Sequence, residues 1–217
     1  MSRRNNHRRL LVEGRVEQRL IPYLIEENGI PWGEKRDEAI VDIEEFNGVD
    51  NLLKPGVIEA ELKASGLKHL GIVVDADDDL ASRWHAVRNR CILACPSISD
   101  RLPSEGLVVE TSRGVTLGVW IMPDNASSGM LETFLCFLLP NQSDPLHKHA
   151  IEATGRAKEL GAPFVEAHES KSHIHTWLAW QDPPGRQLHE AVAERVLNPL
   201  SENAQPFVRW FKTVFAL

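Results

Sequence analysis

Apolar positions in the first two thirds of the chain fall in short runs separated by longer amphipathic stretches. Leu10-Leu11-Val12 stops at Glu13-Gly14, the pattern of a buried strand with a turn behind it. A helix is expected over residues 16–28, stopped by Gly29, with Pro22 inside it to kink it or delay its start. Residues 39–43 read as a second strand, and residues 57–65, closed by Gly66, as a second helix. Leu70-Gly71-Ile72-Val73-Val74 is the third strand, apolar on both faces as buried parallel strands are. Leu80, Trp84, Val87, Cys91 and Cys95 then form one apolar stripe at helical spacing, which Pro96 stops. Residues 107–110 and 115–122 flank Ser112-Arg113-Gly114, a hairpin turn, and another helix is expected over 128–139.

The character changes after Pro140. Asn141-Gln142-Ser143-Asp144-Pro145 is a polar linker, and helices are expected over 147–160, 169–181, 187–197 and 206–215. Asp182-Pro183-Pro184-Gly185 makes a turn between two of them. Strand–helix alternation predicts an α/β fold, a mainly parallel sheet flanked by helices, over residues 1–140. Residues 145–217 are expected to be a helical C-terminal extension packed on that core, burying Trp177, Trp180 and Trp210.

Composition narrows the class without naming a function. The chain has 217 residues, 42% hydrophobic and 25% charged, average for a globular protein and unlike disorder or a coiled coil. No apolar run approaches the ~20 residues that span a bilayer, so no membrane partner is expected. Neither a secretory leader nor a disulfide framework shows among its three cysteines, and a cytoplasmic location is expected. A net charge of −7 argues against a broad, non-specific nucleic-acid surface, though bound metal ions would supply local positive charge. Arg3, Arg4, His7, Arg8 and Arg9 form a basic run, read as a solvated terminus.

The strongest chemical feature is Val73-Val74-Asp75-Ala76-Asp77-Asp78-Asp79, a buried strand running straight into four carboxylates. In extended chain Asp75 and Asp77 project to one side, at the strand end where parallel sheets hold their ligands. Like charges so close raise one another's pKa unless a cation sits between them. Mg²⁺, or Mn²⁺ in its place, is the expected ion, being hard and oxygen-seeking. Helix capping by Asp77, Asp78 and Asp79 explains one or two of these acids, not four. The second feature is Val12-Glu13-Gly14-Arg15-Val16-Glu17, another acid at another strand end.

Glu13-Gly14 after the first strand and Asp75-Ala76-Asp77 after the third resemble, in order and spacing, the motifs of the Toprim superfamily. That superfamily includes the catalytic modules of topoisomerases, primases and several nucleases. Glu17 resembles the extra acid of overcoming-lysogenization-defect nucleases. The stretches Val119-Trp120-Ile121-Met122-Pro123-Asp124-Asn125 and His175-Thr176-Trp177-Leu178-Ala179-Trp180 resemble an uncharacterised Toprim-like bacterial family. The resemblance implies metal-dependent phosphodiester cleavage on DNA or RNA. Asp75 and Asp77 would then hold metal, and Glu13 would be a ligand or a general acid/base. Glu17 and Asp79 are candidates for a second ion. Lys171 is a looser candidate for meeting the phosphate, and a solvated lysine explains it too. Asp124 is explained equally by its turn, and Glu132 by the first turn of its helix. Relatives are often paired with ATPases, which extends the expectation to a separate ATPase partner.

Other readings stay open. A Toprim fold kept as a catalytically silent metal-binding module is one. A phosphatase of the haloacid-dehalogenase kind is another, although Asp79 stands where that family wants Thr or Val. Cys91 and Cys95 are expected to pack in the core. The pairs His147/His149 and His173/His175 supply no zinc set.

Overall fold

The structure is a computed structural model that describes residues 7–33 and 38–217. Arg3 and Arg4 of the basic run lie outside the described residues. Five strands form one sheet in the order β2-β1-β3-β5-β4: β1 (Arg8–Val12), β2 (Asp42–Glu45), β3 (His69–Asp75), β4 (Leu107–Glu110) and β5 (Thr116–Met122). Every pairing is parallel except β4 with β5, the hairpin turned at residues 112–114. Gly114 takes a φ of +73° there, which its missing Cβ permits.

Side chains alternate between two apolar layers, as the period-2 pleat requires. Leu11, Ile72, Val74, Val119 and Ile121 face α2 (Val49–Leu52), α3 (Val57–Leu62) and α4 (Leu80–Cys91). Leu10, Val12, Val73, Trp120 and Met122 face the other layer. That layer holds α1 (Arg15–Glu27), α5 (Leu131–Cys136), α6 (Pro145–Glu159), α7 (Glu169–Ala179), α8 (Leu188–Ala193) and α9 (Gln205–Phe215). Its apolar cluster runs without a break from β1 to Phe215, so the tail helices share the core of the sheet. The result is an α/β fold with a mostly parallel sheet and flanking helices.

α9 sits deepest. Gly71 and Gly118 are register partners on β3 and β5, and together they open a floor for that helix. A Cβ on Gly71 would lie 2.8 Å from the Phe215 ring, and one on Gly118 would overlap Val214. Arg8 and His69 then cap the far end of α9, bonding the carbonyls of Phe215, Ala216 and Val214.

Several expectations need correction. Arg9 is 4% exposed and pairs with Glu61, so the end of the basic run is structured rather than solvated. α1 starts at Arg15 and continues through Pro22, since the buried face of Leu20, Ile21, Leu24 and Ile25 offsets the lost hydrogen bond. β2 lies three residues later than expected because its pairing with β1 begins at Asp42; as an edge strand it tolerates acids. α4 ends at Cys91, and a turn rather than a helix carries buried Cys95 onward. Trp177 and Trp210 are buried, but Trp180 is 41% exposed and stacks on His149 at the surface. Among the described residues no helix is long and apolar enough to cross a membrane.

Candidate functional site: an acidic crevice at the sheet edge

Because β1, β3 and β5 are parallel, their carboxyl ends open on one edge, and β1 and β3 each end in an acid there. Glu13 follows β1 directly, and its Oε1 accepts the main-chain N–H of Asp75 at 2.7 Å. Asp75, the last residue of β3, accepts the N–H of Leu131 at 2.9 Å, tying the strand end to the start of α5. Glu17, one turn into α1, is 7% exposed. Gly14 leaves room for it, since a Cβ there would meet the Glu17 carboxylate at 3.3 Å.

Asp77 reaches the crevice by a different route from the one expected. β3 stops at Asp75, and Asp77 turns into the left-handed region with φ 52°. Two main-chain hydrogen bonds with Gly129, of 2.9 and 2.7 Å, fix that turn. Simple strand alternation therefore does not set the direction of Asp77; the loop before α5 does. Its carboxylate pairs with Arg83 of α4 at 2.5 Å.

Glu132, read as structural, and Lys171, the looser candidate for meeting the phosphate, join this group. Glu132 in the first turn of α5 is 5% exposed, and its partner is Lys171 of α7 at 3.1 Å. Its charge acts on both Glu17 and Asp75. No local sequence signal marks it, since the Leu131–Asp75 bond that brings α5 here joins residues far apart in the chain. His175, one helical turn beyond Lys171, is pulled down by partial burial and feels both Glu132 and Lys171. Asp79 and Asp124 behave locally. Asp79 caps α4 by accepting from Ser82 N and Oγ at 3.1 and 2.6 Å, and this pairing lowers its pKa. Asp124 accepts from the N–H groups of Ala126 and Ser127 in its own turn.

The electrostatics follow from burial. Glu13 is pushed from the ordinary 4.5 up to about 7, chiefly by burial, against the pull of the Asp75 N–H and Arg83. Burial also raises Glu17, with Glu132 adding repulsion. Asp75 is raised well above the usual range, first by burial and then by Glu13, Glu17, Glu132 and Asp77. Each of these carboxylates resists ionisation where it stands. Among the described residues no group of three or more His, Cys, Asp or Glu side chains is placed so that it could hold a metal ion.

Fold and crevice together define an α/β protein that gathers acids at the carboxyl edge of its sheet. Residues 7–216 match the model of the family described as Protein of unknown function (DUF3226), and the chain belongs to that family. No curated protein matches the chain, and no solved structure does.

Proposed function

We propose that this chain is a divalent-cation-dependent phosphodiesterase, a nuclease-like enzyme with a Toprim-type Glu and Asp-x-Asp site. The observation that carries the reading is the convergence of Glu13, Asp75 and Asp77, with Glu17 and Glu132, at one sheet edge. Acids so close, with Glu13, Glu17 and Asp75 largely buried, are stabilised as anions by a cation among them. The donor set is all oxygen, which fits Mg²⁺ or Mn²⁺ and not a softer ion. Glu13, Asp75 and Asp77 would hold it, with Glu17 as a further oxygen; Asp79 is engaged as a cap and stands outside the set. A cation held there neutralises charge on a phosphoryl group and polarises it for attack.

The chain's own groups do the rest. Glu13, where it does not itself ligate the cation, is placed to take a proton from an attacking water at its carboxylate and return it. Lys171 Nζ, half exposed and steadied by Glu132, offers positive charge to a non-bridging phosphate oxygen. DNA or RNA is the proposed substrate, with a separate ATPase as the proposed partner. Cleavage of plasmid, single-stranded DNA and RNA in Mg²⁺ or Mn²⁺, with and without such an ATPase, tests this. Activity should require the cation, and Glu13→Gln should lower it by about 10²–10⁴-fold. Cation binding without turnover of any phosphoester would instead favour a silent metal-binding module.

A further inference from the structure

Two carboxylates of the crevice already have a cationic partner, and the two pairs differ. The Lys171 side chain that meets Glu132 is 49% exposed, a rim contact. Arg83, which meets Asp77, is 15% exposed, and here it is the carboxylate that is open, at 44%. Its position is poor for α4 itself, because it stands near the helix N-terminus, where the dipole disfavours a cation. Its guanidinium is also incompletely satisfied: Nη2 bonds Asp77, while Nε is buried without a partner. A dry, unpaired donor is costly, so this position calls for a compensating attraction. What favours it is the surrounding negative charge, since Arg83 acts on Glu13 as well as on Asp77.

We infer that Arg83 is the resident counter-cation of the crevice, holding Asp77 until a divalent cation displaces it. The inference rests on the proposed cation site and adds a positioning residue to it. Asp77 is then a ligand kept in reserve. In the absence of the cation, Arg83 offsets repulsion among the acids; when the cation enters, Asp77 exchanges one positive partner for another. That exchange lessens repulsion among the acids while the cation is absent, at the expense of affinity for the ion.

Calorimetric titration of the whole chain with Mn²⁺, paired with metal-free thermal melts, tests the exchange. Arg83→Met should bind Mn²⁺ about tenfold more tightly than wild type, equivalent to about 1.4 kcal/mol. It should also melt lower without metal and recover when Mn²⁺ is added. Arg83→Lys, which keeps the charge, should stay near wild type, and Arg83→Met combined with Asp77→Asn should lose the gain. If the Met variant does not fold, Arg83→Gln gives the same reading. Unchanged or weaker binding in Arg83→Met, or a gain that persists without Asp77, overturns the inference and leaves the cation site standing. No binding by wild type or any variant overturns both.

Discussion

Strand β3 carries two contrasting regions within seven residues. Towards its middle, Gly71 and its partner Gly118 lie under α9, with Leu10, Val214 and Phe215 fitted closely against them. At its end, Asp75 lies among Glu13, Glu17, Asp77 and Glu132, a group held together against its own repulsion. The first region gains free energy from burial and depends little on pH or ions. The second loses free energy on burial and depends on both. A fold that is marginally stable overall retains such a region when the rest of the core can offset it. The contrast assigns α9 to stability and leaves the strand ends to the proposed chemistry.

Substitutions in the two regions should separate in size and in pH response. The largest effect belongs to α9: Phe211→Ala, at a fully buried ring, should cost about 3–5 kcal/mol in urea unfolding. That loss should be the same at pH 5 and pH 8, and a strong pH dependence would blur the contrast. Next is Glu13. Its folded pKa of about 7 lies above the ordinary 4.5, so the folded state holds the proton more tightly. Metal-free stability should therefore be greatest below pH 4.5 and fall as pH rises through 7, by on the order of 3 kcal/mol from this group. Glu13→Gln should flatten that part of the profile, and saturating Mg²⁺ should flatten it in wild type. A flat wild-type profile without metal would remove the electrostatic cost from the crevice.

Gly118→Ala should cost about 1–3 kcal/mol, because the added methyl group overlaps Val214 and α9 must shift. Wild-type stability in that variant would mean that α9 is not seated on the sheet. The smallest effect is Asp79→Ala, which removes the α4 cap and should cost about 1 kcal/mol. Mn²⁺ affinity should not change in it, since Asp79 serves Ser82. A large loss of affinity would return Asp79 to the ligand set.

Most of the sheet was legible because parallel, doubly covered strands such as β3 are apolar throughout, and the glycines and prolines between them mark turns. The edge strand β2 was misplaced for the converse reason: with one partner and acids in its sequence, it lacks that signature. In the crevice, Glu13, Asp75 and Asp77 were legible as acids ending apolar strands. Glu132 was not, because an acid in a helix's first turn is ordinary locally, and only the long-range bond from Leu131 to Asp75 brings α5 to the site. Lys171 was legible as a candidate for the phosphate but not as the partner of Glu132, which lies on another helix, and Arg83 carried no signal of its pairing with Asp77. The turn at Asp77 depends on a bridge to Gly129, a residue distant in sequence, so no local pattern announces it.

The most direct test of the crevice as a cation site is Mn²⁺ titration of the whole chain beside Asp75→Asn, each also melted without metal. Asparagine keeps an oxygen for the Leu131 N–H while removing the charge, so the variant should fold. Wild type should bind Mn²⁺ saturably, and Asp75→Asn should lose that binding yet melt no lower than wild type in metal-free buffer. Equal binding by the two proteins, or no binding by wild type, would contradict the cation site.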